Sequence, residues 1–286
     1  MSDSPSVFHS VFNAVHDVAI FGAGHAGFAA ARALVDAGQK VLLIDRRAAL
    51  LAESGWSFES IGGDDGGDDG SPAWHAWRDE ISARGGAQGR LFDGAIAEVV
   101  ANEWVYQARR EGKLSVLYYA TPVAVESSDL LEAVTVGTKG GLQRIVARQW
   151  MDATDTGELL CLLGGNWQAP APLRQNVNLY FRRSEWPAMP DSEDELPELM
   201  PGASVRWTPS LWPNERWLQI TLPGDAGPPR AAWIPALRLL HERLANGSMS
   251  EAVLTHGSVE AVQVNRRHRI VVIGDSPGRT RYWDRR

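Results

Sequence analysis

Residues 17–45 read DVAIFGAGHAGFAAARALVDAGQKVLLID, an apolar run, a glycine turn, an alanine-rich stretch and a second apolar run. Val18 to Phe21 and Val41 to Ile44 are short, continuously apolar and β-branched, the pattern of parallel strands buried on both faces. Between them Ala26 to Ala37 holds no proline, is rich in good helix formers, and is stopped by Gly38 at the expected C′ position. Strand, helix and strand within about 30 residues make a βαβ unit with a right-handed crossover. Gly22-Ala23-Gly24-His25-Ala26-Gly27 is a G-x-G-x-x-G set where that motif has physical meaning, after a strand and opening a helix. Gly22 permits the tight turn, Gly24 lets a pyrophosphate approach the backbone, and Gly27 lets helix and strand pack closely. The unsatisfied N–H groups of the helix then face the phosphates. Asp45 ends the second strand, where a carboxylate accepts hydrogen bonds from a ribose diol. Arg46-Arg47 would suit a 2′-phosphate, but Asp45 repels one, so NADP is disfavoured. The fingerprint alone does not choose between FAD and NAD.

Two later segments bear on that choice. Met151-Asp152-Ala153-Thr154-Asp155-Thr156-Gly157-Glu158-Leu159-Leu160 follows an apolar strand, and Ile270-Val271-Val272-Ile273-Gly274-Asp275 is four apolar residues, then Gly-Asp. With the first fingerprint, in this order, they resemble the FAD-dependent oxidoreductases of the glutathione-reductase-like fold. The resemblance implies that Ala153, Thr154 and Asp155 pass beside FAD and that Gly274 and Asp275 hold its ribityl chain. It also implies that Val123, after Thr121-Pro122, meets the adenine; Arg46, beside Asp45, is a further candidate for cofactor contact. This chain departs from the family in three places. Leu51-Ala52 stands where the family often has Gly-Gly near the flavin and could crowd the ring, Asp155 replaces a glycine, and eleven residues follow Asp275 where a helix aimed at the flavin is usual.

The rest of the chain sets limits. Its 286 residues, 44% hydrophobic and 22% charged, suffice for one large domain or two intimate ones. A formal charge of −7 and scattered Arg pairs argue against nucleic acid or an anionic membrane as partner. The single cysteine, Cys161, excludes an intramolecular disulfide and a Cys-rich metal site; flanked by leucines, it reads as an inert buried thiol. The start lacks a signal-peptide pattern and no apolar run reaches the roughly 18 residues of a membrane span, so a soluble, cytoplasmic protein is expected. Residues 62–70 alternate Gly and Asp without EF-hand spacing and read as an acidic loop, not a metal site.

Phe92 to Arg110 reads as an amphipathic helix with Ile96, Val99, Val100, Trp104 and Val105 on one face, and Leu131–Val136 with Arg144–Asp152 as a hairpin about Thr138–Gly141. From 166 to 264 strand-like pieces (176–181, 204–207, 217–222) alternate with proline-rich connections, followed by a helix over 234–245. The fold expected is α/β: a Rossmann-like FAD-binding domain (1–165 and 265–286) with an inserted mixed β-sheet-plus-helix substrate or cap domain (166–264).

For chemistry there are candidates without a constellation. His25 lies at the helix mouth, His75 sits between Trp74 and Trp77 in a presumed loop, and His241 lies on the later helix. The twelve tryptophans serve as core and interface residues in preference to a stacking platform. No second G-x-G-x-x-G is present, so no built-in NAD(P)H domain is expected. The leading expectation is an FAD-dependent oxidoreductase passing a hydride between a small organic substrate and flavin N5. An FAD-binding subunit completed by a partner chain, or by a second copy, is the alternative. A NAD-dependent dehydrogenase and a non-catalytic scaffold complete the set.

Overall fold

The computed structural model describes residues 15–57, 72–128, 130–155, 157–163, 174–186, 193–195, 201–223, 251–257, 262–264, 271–273 and 280–282, with 235, 238, 239 and 242. The acidic loop, His241, Gly274, Asp275 and most of the helix expected over 234–245 lie outside them.

The first apolar run forms β1 (His16–Phe21), the alanine-rich stretch α1 (His25–Asp36) and the second run β2 (Val41–Asp45). These two strands pair in parallel, Val18 beside Val41 and Phe21 beside Ile44. β5 (Leu114–Tyr118) extends the sheet beyond β2, and β9 (Ala147–Asp152) joins β1 on its other side, both in parallel. β16 (Val271–Ile273) and β17 (Thr280–Tyr282) complete the order β17-β16-β9-β1-β2-β5. β16 is antiparallel to β9; it enters the sheet beside Asp152 and runs away from that end.

The continuous apolar runs are explained by three layers. Val18, Ile20, Val41 and Leu43 face one core, with α1, α3 (Pro72–Ala83) and α4 (Gly94–Arg110) above them. Ala19, Phe21, Leu42 and Ile44 face a second core, closed by β6 (Thr121–Ser127), β7 (Leu131–Thr138) and β8 (Gly141–Ile145). With alternate residues buried on opposite faces, Val18–Phe21 and Val41–Ile44 are apolar throughout. Each fully buried aliphatic side chain contributes about 1.5–3 kcal/mol by leaving water.

Three expectations of detail change. The stretch 144–152 divides at Val146 into β8 and β9, which belong to different sheets. The helix begins at Gly94, after the short pair β3 (Ala87–Gln88) and β4 (Leu91–Phe92), and its buried face is Ala97, Val100, Ala101, Val105 and Ala108, with Val99 exposed. Small alanines take this face because α4 packs close to the short α2 (Ala52–Gly55), where a Cβ on Gly94 would press on the Ser54 carbonyl. Cys161 is exposed on α5 (Glu158–Leu162), because Leu159 and Leu160 take the inward side of this one-turn helix.

The later half forms a second sheet: β10 (Arg174–Arg182) at its centre, β13 (Glu215–Pro223) on one side, then β12 (Ser204–Pro209) and β11 (Glu193–Glu195). β14 (Val253–Gly257) and β15 (Val262–Val264) pair with its other edge. Every described pairing in this sheet is antiparallel. Val177, Leu179, Phe181, Leu218, Ile220 and Leu222 form its apolar face, with Leu239 packed against them. Residues 235, 238, 239 and 242 are helical. The architecture is thus a Rossmann-like α/β unit carrying an inserted sheet with a helix.

Candidate functional site: a crevice at the switch point of the parallel sheet

β1 leads through α1 to β2 on one side and has β9 on the other, so the carboxyl ends of these three strands open a crevice where ligands bind in open α/β sheets. Its lining includes Gly22, Gly24, Asp45, Arg46, Ala153, Thr154 and Asp155, all singled out above. Phe21, Ile44, Arg47, Ala120, Pro122 and Glu158 complete it. Arg47 and Glu158 could have been found in sequence, since each adjoins a motif residue. Pro122 likewise adjoins Val123, whereas Ala120 could not have been found, because only the register of β5 against β2 brings it there.

The glycines are held by contact as well as by conformation. Gly22 has φ +96°, a left-handed value costly for any side chain, and a Cβ there would overlap the Ala153 carbonyl. A Cβ on Gly27 would fall on the Gly22 carbonyl oxygen, so α1 can lie this close to β1 only without one. Ala23 is fully buried and points its N–H at Asp45 Oδ2 (2.6 Å), while Asp45 Oδ1 accepts the Arg47 N–H (2.7 Å). Burial is the main force raising the Asp45 pKa above its usual value. The Ala23 and Arg47 N–H groups and the Arg47 charge oppose the rise, and the nearby Glu53 charge adds to it.

The turn after β9 is stapled by Asp152. Its Oδ1 accepts the Thr154 N–H (3.0 Å) and hydroxyl (2.6 Å), and its Oδ2 accepts the N–H groups of Leu159 and Leu160 (2.9 and 3.0 Å). One buried carboxylate thus fixes the Ala-Thr turn and satisfies the first donors of α5. Two ion pairs span the crevice mouth: Arg47 Nη2 to Asp155 Oδ2 (3.4 Å) and Arg46 Nε to Glu158 Oε1 (3.8 Å). Burial, first, raises the Glu158 pKa; Arg46 opposes the rise and the surrounding aspartates add to it.

Other expected residues lie off the lining. His25 turns inward, its Nε2 2.6 Å from the Ser54 hydroxyl and its ring beside Trp74 and Trp77. Ala26 is half-buried on α1. Val123 is 46% exposed on β6 and outside the lining, although its neighbour Pro122 belongs to it. Leu51 does not crowd the crevice: it is fully buried in the helix-side core. Its φ of 51° is nevertheless the left-handed conformation that suits the family's glycine. His75 lies exposed on α3 and not on a loop. Among the described residues there is no group of three or more His, Cys, Asp or Glu able to hold a metal ion, and no helix long and apolar enough to cross a membrane.

A second feature lies where the inserted sheet meets the parallel unit. Opposite its apolar face, β10 and its neighbours carry Asn176, Asn178, Tyr180, Trp217 and His256. Asn178 is fully buried; it donates to the Ser57 carbonyl (2.7 Å) and accepts from the Trp217 indole (2.9 Å). Tyr180 stacks on Trp217 and on His256, with ring centroids 6.0 and 4.4 Å apart. Burial, first, lowers the His256 pKa; the charges of Glu215 and Asp93 oppose this and Arg182 reinforces it. Nothing local in the sequence marks His256, whose place follows from strand pairing alone.

The family described as FAD dependent oxidoreductase matches residues 17–216. No curated protein matches the chain. Solved structures share its fold at low identity. CabE, an aromatic hydroxylase from angucycline biosynthesis, matches with a TM-score of 0.55 at 16% identity, over 95% of this chain and 55% of its own. OxyS anhydrotetracycline hydroxylase from Streptomyces rimosus matches with a TM-score of 0.54 at 18% identity, over 86% and 52%. A geranylgeranyl bacteriochlorophyll reductase-like protein from Thermoplasma acidophilum matches with a TM-score of 0.53 at 12% identity, over 87% and 66%. The chain therefore spans between about half and two thirds of the length of these neighbours.

Proposed function

The chain belongs to the FAD-dependent oxidoreductase family, and from that premise we propose that it passes a hydride between a small organic substrate and N5 of FAD, with the dinucleotide part of FAD in the switch-point crevice. The observation that carries this reading is the glycine cradle facing Asp45: positions where a Cβ would collide, beside a buried carboxylate at the end of β2. Each Asp45 oxygen accepts one backbone N–H, and each keeps a lone pair for a ribose hydroxyl. Gly22, Ala23, Gly24, His25, Ala26 and Gly27 would form the turn that the pyrophosphate crosses, with the N–H at the start of α1 as donor, and Arg46 would supply a positive charge. Ala153, Thr154 and Asp155 would border the cofactor on the β9 side. Val123 is assigned to the adenine end, and Gly274 and Asp275 to the ribityl chain, by resemblance to the family.

FAD supplies the hydride-accepting centre when bound; the protein supplies position and proton traffic. We assign the substrate to the seam between the crevice and the inserted sheet, residues 166–264. Desolvation lowers the His256 pKa and favours the neutral imidazole, whose ring could accept the proton of a substrate O–H or N–H as the adjacent carbon loses its hydrogen as hydride. Neighbours described as hydroxylases suggest aryl-bearing alcohols and amines, which carry an oxidisable C–H beside an O–H or N–H, as the first panel.

The test is anaerobic bleaching of the FAD-loaded chain by that panel and by simple alcohols and amines. Bleaching by one class, slowed about a hundredfold in His256→Gln with FAD affinity retained, is expected. FAD bound without bleaching by any compound would overturn the isolated chain as the catalyst and favour a site completed by a partner subunit or a second copy.

A further inference from the structure

We infer that Glu53 occupies the place of the cofactor's pyrophosphate, so that FAD must displace this side chain to load. The inference rests on placing FAD in the switch-point crevice. The His25 N–H, at the start of α1, is directed at both Glu53 carboxylate oxygens, at 3.2 and 3.3 Å. No side chain of the cap residue Gly24 competes for it. The same carboxylate fills the space in front of Gly24, where a Cβ would overlap it. That space is the one a glycine in this position keeps open for a phosphate.

Glu53 therefore satisfies the helix as an anion would, using the same donor and the same end of the helix dipole. It reaches this position because α2 begins immediately after Leu51, whose N–H is anchored on the Ala23 carbonyl at 2.8 Å. The left-handed turn at Leu51 aims the next residues back at the glycine loop. Glu53 also lies close enough to Asp45 for its charge to raise the Asp45 pKa. A pyrophosphate entering here meets two carboxylates, one holding the ribose position and one holding its own. Asp45 is buried and tied by two N–H groups, whereas Glu53 is a flexible side chain on a short helix. Glu53 is the group able to leave.

Titration calorimetry of FAD, and of ADP as a probe lacking the flavin, on wild type, Glu53→Gln and Glu53→Ala tests this. Both ligands are expected to bind about tenfold more tightly to Glu53→Ala, as the His25 N–H is freed and a like charge is removed together. Glu53→Gln, which removes the charge and keeps the shape, is expected to gain part or all of that factor. Circular dichroism on each variant confirms that the chain remains folded. Unchanged or weaker binding in both variants would overturn the role of Glu53 and leave the crevice standing. Failure of all three proteins to bind either ligand would overturn the FAD placement itself.

Discussion

At the residue scale, Leu51 shows two demands on one position. Its left-handed backbone costs a branched side chain about 1–2 kcal/mol, which a glycine would not incur. Its side chain, fully buried in the helix-side core, stabilises by more than that. The side chain wins, so leucine is tolerated where the family often carries glycine. Leu51→Ala is expected to lower unfolding free energy by about 2–4 kcal/mol in urea titration. Leu51→Gly removes the same side chain but recovers the backbone strain, so it should be no less stable than the alanine variant. A glycine variant clearly less stable than the alanine variant would show that the turn at 51 carries no strain.

At the element scale, α4 is started by one aspartate with two duties. Asp93 Oδ1 accepts the Ala95 and Ile96 N–H groups at 2.9 and 3.0 Å, the N-cap arrangement. Its Oδ2 accepts the Trp212 indole N–H of the inserted sheet at 2.8 Å. Asp93→Asn keeps a capping oxygen but turns an amide N–H₂ toward the indole donor. Asp93→Ala loses all three bonds. The expected costs are about 1 kcal/mol for asparagine and about 2–3 kcal/mol for alanine, read from chemical unfolding. An asparagine variant as stable as wild type would mean that Trp212 contributes nothing through Asp93, and equal costs for the two variants would mean that the cap contributes nothing. The expected helix over Phe92–Arg110 is nearly right in extent but places Val99 on the wrong face. Periodicity finds a stripe, while the close approach of α2 selects small side chains for it.

At the scale of the whole molecule, Asn178 ties the inserted sheet to the parallel unit among the described residues, with Trp212 on Asp93 as a second polar contact. It is fully buried and joins Ser57 of the parallel unit to Trp217 and Gln219 of its own sheet. Asn178→Leu would strand the Ser57 carbonyl and the Trp217 indole N–H away from water, at about 1–3 kcal/mol for each unpaired group. Hydrogen exchange is the sensitive readout. Faster exchange around residues 54–57 and 217–219, with β1 and β2 unchanged, is the expected outcome. Uniform acceleration throughout would mean that Asn178 supports global stability and not the seam.

The sequence by itself determined the βαβ unit, its glycine turn and the place of Asp45 at the end of β2, because these depend on neighbours close in the chain or on conformations few residues can adopt. The Ala153–Asp155 turn came through the resemblance to the family. A strand interior buried on both faces must be apolar, and Gly22, at positive φ with the Ala153 carbonyl where a Cβ would lie, must be glycine. Tertiary structure alone decided that His25 turns into the core, that Glu53 stands before Gly24, that residues 144–152 serve two sheets and that His256 reaches the seam. These follow from pairings and packings between segments far apart in sequence, with no local period to announce them. The direction of a half-buried polar side chain is fixed by whichever distant donor or ring its burial leaves within reach.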